Sequence, residues 1–176
     1  MRRLTSERLV LEPLTRLHAQ EMFVALADRA IYRYIDEAPP ASIEALATRY
    51  ARLESRRSGD GREHWLNWVV REPASGRAVG FVQASVMDNG TAFVAYVIAP
   101  GSQGQGYGRE ATAAMIAELE RGYGAKVLRA SVDARNAASI ALATALGFYE
   151  ARRDDGDIIF ERGTSAVSGS TAPGIR

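Results

Sequence analysis

The chain has 176 residues, 47% of them hydrophobic and 24% charged, with a net charge of +1. That length suits one domain with a sizeable core, and so small a charge gives no field to steer the chain to nucleic acid or to an anionic membrane. With no cysteine, and with His18 and His64 as the only histidines, there is no material for disulfides, a thiol nucleophile or a histidine-built metal centre, and no metal is expected.

The start of the chain, M-R-R-L-T-S-E-R-L-V-L-E-P, lacks the long apolar core of a signal peptide. No apolar run approaches the roughly 20 residues that span a bilayer. The expected location is the cytoplasm. Leu9-Val10-Leu11 is predicted as a short strand ended by Pro13. Thr15 then caps a helix through Ala27, with Leu17, Met22, Phe23 and Leu26 as its apolar positions. Ala30–Ile35 is short and aromatic and is cut off by Pro39-Pro40. Ser42 caps a second helix, from Ile43 to about Arg56, and a loop follows at Ser58-Gly59-Asp60-Gly61.

Strands are then predicted at Trp65–Arg71, Ala78–Ser85 and Thr91–Ile98, divided by the turn signals Pro73–Gly76 and Asp88-Asn89-Gly90. A helix is expected from Gly108 to Arg121, with Ala111, Met115, Ile116 and Leu119 on one face. Val127–Val132 is a strand and Ala137–Leu146 a helix, with Gly147 at its C-cap. Phe148–Arg153 and Ile158–Arg162 close the domain as a hairpin. The order β-α-α-β-β-β-α-β-α-β-β implies an α/β fold of the mixed-sheet (α+β) kind, with helices covering the sheet. Thr164–Arg176, rich in Ser, Gly, Thr and Pro, is expected to be a disordered tail.

The chemistry concentrates at Val94–Gly108, which reads V-A-Y-V-I-A-P-G-S-Q-G-Q-G-Y-G. An apolar strand runs into a glycine-rich turn, and the turn opens a helix. That order collects backbone N–H groups at a positive helix end, a site for phosphate. The turn has no G-x-x-x-x-G-K-[ST], so it is not a P-loop. Gly104, Gly106 and Gly108 alternate, so the dinucleotide pattern G-x-G-x-x-G is missed as well.

Gln103-x-x-Gly106-x-Gly108, in the run Q-G-Q-G-Y-G-R-E-A, resembles the acyl-CoA pyrophosphate loop of the GNAT superfamily of N-acetyltransferases. Asn136-x-x-Ser139, followed by Leu146-Gly147-Phe148, strengthens the likeness. So does the opening Thr5-Ser6-Glu7-Arg8-Leu9-Val10-Leu11-Glu12-Pro13-Leu14. Together they are similar to the RimJ/RimL-type branch, which acetylates N-terminal amines of ribosomal proteins and has relatives acting on other amines. The resemblance covers roughly Leu4 to Gly163 and implies the GNAT fold. Two positions depart from it. Glu12 stands where relatives often have arginine. Ala143 stands where many GNAT enzymes place a tyrosine, four residues before the Gly-Phe pair, as general acid.

The resemblance implies that backbone N–H groups from Gln103, Gly104, Gln105, Gly106, Tyr107, Gly108 and Arg109 face the pyrophosphate of acetyl-CoA. Arg109 either adds charge there or is an exposed helix arginine, and Glu110 caps or ion-pairs in the first turn. Tyr96, Val97 and Ile98 are core residues whose main chain pairs with the pantetheine arm, with an N–H near Val97 or Ile98 on the thioester carbonyl. Asn136 either caps its helix or contacts the pantetheine. Ser139 is implied to lie near the sulfur as donor to the departing thiolate; Tyr149 is a second candidate, or a strand tyrosine packing the sheet. The base is not fixed by a motif: Asp36, Glu37, Glu63 and His64 are candidates. With no cysteine for an acyl-enzyme, transfer from acetyl-CoA to the acceptor is direct.

The expected activity is therefore acetyl-CoA-dependent N-acetylation of a primary amine, either a peptide N-terminus or a small molecule such as an aminoglycoside, polyamine or amino acid. A non-catalytic acyl-CoA-binding module and another phosphate-ligand binder are the rivals. The sequence leaves monomer and homodimer open.

Overall fold

Strands Leu4–Thr5 (β1), Val10–Pro13 (β2), Glu63–Glu72 (β3), Arg77–Met87 (β4) and Thr91–Ile98 (β5) form an antiparallel run in a computed structural model that describes residues 1–164. Val127–Asp133 (β6), Tyr149–Asp154 (β7) and Asp157–Gly163 (β8) complete an eight-stranded sheet of order β1-β2-β3-β4-β5-β6-β8-β7. The β5–β6 pair is parallel, and its crossover is the helix Tyr107–Gly122 (α3), the connection a parallel pair requires. Helices Ala19–Ala25 (α1), Ile43–Leu53 (α2) and Ala137–Ala145 (α4) complete the layers. Among the described residues no helix is long and apolar enough to cross a membrane. The predicted tail from Thr164 lies, beyond Thr164 itself, outside the described residues.

Period-two alternation sorts the strand residues onto two faces. Val82, Ala84 and Val86 of β4 join Met115, Ile116 and Leu119 of α3 in the larger core. Phe81, one residue before that set, and its cross-strand partners Val69 and Val97 face the opposite side, against Met22, Leu46 and Tyr50 of α1 and α2. The apolar stripe predicted for α3 is buried throughout: Ala111, Met115, Ile116 and Leu119 are 2% exposed or less.

The first helix differs from its prediction. Arg16–His18 form a 3-10 turn and the α-helix begins only at Ala19. The Thr15 N–H donates to His18 Nδ1 at 3.0 Å, which winds the first turn tightly and rotates Leu17 outward, where it is 82% exposed. Arg29–Tyr34 is also a 3-10 segment, started by Asp28, whose side chain accepts from the Ala30 N–H at 2.8 Å.

The sheet's pairing fails in one place. β5 and β6 meet only at Thr91–Val127, Ala92–Leu128 and Phe93–Arg129. Beyond Phe93, β5 continues to Ile98 paired with β4 alone, while β6 continues to Asp133 paired with β8. A wedge opens between them, and the edge of β5 from Val94 onward faces it.

Candidate active site

The wedge is lined from both sides. On the α3 side a cavity of about 380 Å³ runs past Tyr96, Ile98, Gly104, Gly106, Gly108 and Ser139. On the α1–α2 side a cavity of about 500 Å³ is floored by Asn67, Phe81 and Gln83 and reaches Leu26, Leu46 and Tyr50. Tyr96, Val97, Asn136 and Ser139 line both. The two cavities therefore meet where β5 lacks a neighbour.

The glycine turn is shaped as an anion cradle. Gly104 and Gly106 sit at φ +74° and +80°, left-handed conformations that favour glycine. Among the described residues the N–H groups of Gly104, Gln105, Gly106, Tyr107, Gly108 and Arg109 find no protein acceptor, which is the state of a helix N-terminus awaiting an anion. The Gln103 N–H is committed to Pro100 O, and its side-chain Nε2 donates to Ile98 O at 2.9 Å. At Gly108 a Cβ would stand 3.1 Å from the Tyr96 ring and 3.1 Å from Leu142, so its glycine allows helix and strand to approach.

The cradle is braced from behind. Glu110 accepts from the Ser6 hydroxyl at 2.7 Å, the Arg8 N–H at 2.8 Å and Arg8 Nε at 2.8 Å. Arg8 Nη1 donates to Gln105 O at 3.0 Å, and its guanidinium lies 5.0 Å from the centre of the Tyr107 ring. Burial pushes the Glu110 carboxyl up, but the donors from Ser6 and Arg8 outweigh it and hold the group below its ordinary 4.5. The Tyr107 hydroxyl donates to Glu72, which turns that side chain away from the cradle and leaves only its main chain facing inward. Arg109 is exposed and carries no ion pair among the described residues.

Main-chain direction in β5 follows from its pairing with β4. Groups of alternate residues point to opposite edges. The Ala99 N–H donates to Val79 O at 2.9 Å, and a Cβ on Gly80 would meet Val97 O at 2.0 Å. Ala99 and Val97 thus face β4, and Tyr96 and Ile98 turn their main-chain groups to the wedge.

Asn136 caps α4: its Oδ1 accepts from the Ser139 N–H at 3.1 Å. This sets Ser139 one turn into the helix with its hydroxyl 3.0 Å from that of Tyr96. Burial raises the Tyr96 phenol above its ordinary 10.0, and the Ser139 hydrogen bond offsets part of that, so the phenol keeps its proton at neutral pH. The sequence placed the Tyr96 side chain in the core; half of it is, and its hydroxyl emerges in the wedge.

Tyr149 stands elsewhere. Phe148 is buried, so strand alternation turns Tyr149 outward; it is 58% exposed on the edge strand β7, nearest Glu161, and lines neither cavity. Of the four basic candidates, Asp36 and Glu37 line the larger cavity. Glu37 is bound to Arg49 at 3.0 Å. Glu63 accepts from the Trp65 indole at 3.1 Å, and His64 lies edge-on to Tyr123 at 5.8 Å, both away from the cavities. Asp133 and Asp157 line the larger cavity too and were missed, because no motif marks a strand end that meets a hairpin. Arg135 holds Asp133 down to about 2.

A wedge between parallel strands, beside an open anion cradle, defines an acyltransferase fold. The family model described as the GNAT acetyltransferase domain matches residues 8–149; the chain belongs to that family and is an acetyl-CoA-dependent N-acetyltransferase. No curated protein matches the sequence. Solved structures are similar over nearly the whole chain. A ribosomal-protein-S5-alanine acetyltransferase of Vibrio fischeri has TM-score 0.79 at 16% identity, covering 93% of this chain and 97% of that one. RimL, a ribosomal L7/L12 alpha-N-protein acetyltransferase in complex with coenzyme A, has TM-score 0.77 at 17% identity, covering 92% and 98%. A GNAT-family acetyltransferase of Bacillus anthracis has TM-score 0.76 at 14% identity, covering 92% and 98%. At these identities the likeness shows the fold.

Proposed function

We propose that this enzyme acetylates a primary amine, with the terminal amine of a peptide as its acceptor. The observation that carries the reading is the junction of the two cavities at Tyr96 and Ser139. Acetyl-CoA enters on the α3 side, with its pyrophosphate on the N–H groups of Gly104–Arg109 and its pantetheine arm along Tyr96 and Ile98. The acceptor enters on the α1–α2 side. The amine nitrogen bonds the thioester carbon, the carbon–sulfur bond breaks, and the amine loses a proton as the sulfur gains one.

In this reading the Ile98 or Tyr96 N–H supports the negative charge that develops on the thioester oxygen. Ser139 donates to the departing sulfur. Tyr96, protonated at neutral pH, orients Ser139 and donates through it. An N-terminal α-amine, with a pKa near about 8, needs little help to shed its proton, whereas a lysine amine near about 10.4 needs much more. Asp36, which has no ion pair among the described residues, stands at the acceptor side to receive that proton directly or through water. Free-thiol release from acetyl-CoA, followed over peptides with free N-termini, the same peptides blocked but carrying lysine, polyamines and aminoglycosides, tests the reading. Release with free N-termini and not with blocked ones is expected. Release with small amines alone would replace the peptide by a small-molecule acceptor.

A further inference from the structure

Three polar side chains in the larger cavity have no work inside the protein. Asn67 is 6% exposed and Tyr50 is 4% exposed, yet neither the Asn67 side-chain amide nor the Tyr50 hydroxyl finds a hydrogen-bond partner among the described residues. Gln83, half-buried on the next strand, is in the same state. Asn67 and Gln83 are direct cross-strand partners in β3 and β4 and share one face. The adjoining rung on that face is Val69–Phe81, continued by Val97 in β5. A row of amides therefore lies beside a row of hydrocarbon, with the Tyr50 phenol reaching the same space from α2. Their polar atoms open onto the cavity and bond nothing else among the described residues, so they are placed to meet a molecule that enters it.

The charges in the cavity are mostly spoken for. Arg49 binds Glu37, Arg135 binds Asp133, and Asp157 accepts from the Ser131 hydroxyl. The inner end, at Leu26, Ile31, Leu46 and Leu53, carries no charge. Among the described residues Asp36 stays unpaired for the reacting amine, and a second ammonium carried to the inner end would lie against hydrocarbon.

We propose that Asn67, Gln83 and Tyr50 form an acceptor subsite for an uncharged, amide-bearing body, and that the preferred acceptor is a peptide whose first side chain is uncharged and apolar. The peptide groups following the amine hydrogen-bond to the Asn67 and Gln83 amides and the Tyr50 hydroxyl. The first side chain fills the space beside Phe81 and Val97. This rests on the reading of the enzyme as a peptide N-terminal acetyltransferase and names which termini it takes.

The test uses the full chain with saturating acetyl-CoA. Acceptors are one pentapeptide begun in turn with Leu, Asp or Lys (the Lys side chain blocked in a fourth version), and spermidine. The parent enzyme is expected to favour the Leu peptide at least tenfold in kcat/KM over the Asp and unblocked Lys peptides and over spermidine. Asn67→Leu and Gln83→Leu each lower kcat/KM for the Leu peptide at least tenfold, with the acetyl-CoA Kd within twofold of the parent. Their thermal midpoints stay close to the parent's, because neither side chain bonds another of the described residues. A lower midpoint with unchanged acceptor kinetics would make these residues structural and overturn the proposal. Preference for spermidine or for the charged peptides would overturn it while leaving acetyl transfer intact. Tight acetyl-CoA binding with no transfer to any amine would overturn the peptide reading and the subsite together.

Discussion

The Tyr96 hydroxyl and Ser139 Oγ, 43 residues apart in sequence, share a hydrogen bond of 3.0 Å at the meeting point of the two cavities. Ser139 is held there by the Asn136 cap and Tyr96 by the glycine at position 108. In the proposed mechanism Ser139→Ala removes the donor to the leaving sulfur, and Tyr96→Phe removes the group that orients it. Turnover is expected to fall by about 100-fold in either variant, the lower end of what positioned proton donors contribute. KM for acetyl-CoA should change less. In the double variant the loss should stay close to that of Ser139→Ala alone, since the pair acts as a unit. Independent, multiplying losses in steady-state kinetics would separate Tyr96 from Ser139.

Gly106 combines a left-handed backbone with a place in the cradle. Gly106→Ala and Gly106→Glu carry the same backbone strain, about 1–2 kcal/mol, so their melting temperatures should fall together. Only the glutamate brings a negative charge to the anion site. Calorimetric titration should show acetyl-CoA affinity lowered by about 100-fold or more in Gly106→Glu and much less in Gly106→Ala. Equal affinities would remove the cradle from phosphate binding.

Gly80 has no room for a methyl group. Its Cβ would lie 2.0 Å from Val97 O and 2.9 Å from Ile98 Cα, both main chain. Gly80→Ala must move β4 from β5 and should cost more than about 3 kcal/mol, lowering the melting temperature by roughly 10 °C for a domain of this size. Gly76→Ala is the control: φ is +68° with open space around it, so strain alone operates, about 1 kcal/mol. A Gly80 variant as stable as the Gly76 variant would contradict the close approach.

Glu110 braces the cradle as a carboxylate whose folded pKa is depressed below 4.5. A depressed carboxyl contributes stability that is complete above its unfolded pKa and disappears as pH falls through the folded value. The parent should therefore lose melting temperature below about pH 4.5, and Glu110→Gln should flatten that part of the profile. At neutral pH the same variant should lose about 1–2 kcal/mol of stability through its missing charge-assisted bonds. KM for acetyl-CoA should rise with kcat nearly unchanged. A profile as steep as the parent's would move the acid sensitivity to other carboxylates.

Much of this was legible in the sequence. Glycine spacing and the strand-turn-helix order located the cradle, and the 3.6-residue period of Ala111, Met115, Ile116 and Leu119 located α3 and its buried face. Asn136 was readable as a cap. What sequence did not reveal were features created by a missing or distant neighbour. Tyr96 occupies a core position by alternation, and its hydroxyl reaches the cleft only because β6 has turned away. Asn67 and Gln83 look like ordinary strand polar residues until the β3–β4 register places them side by side. Leu17 fits the helical period but stands in a 3-10 turn, where the period differs. β1, only two residues long, is too short for any period to show.

The wedge also sets the mechanics of the molecule. Two plates, β1 to β5 on one side and β6 to β8 on the other, are joined along the sheet by three rungs between Thr91–Phe93 and Val127–Arg129. The reaction gap is thus the seam along which the sheet is most easily parted, and cleft width and fold strength become one variable. In the proposed binding mode, a pantetheine arm laid along Tyr96 and Ile98 would work as a further strand in that seam. Acetyl-CoA would then rivet the plates, raising resistance to unfolding with its occupancy, and amide exchange along β5 would report the rivet directly.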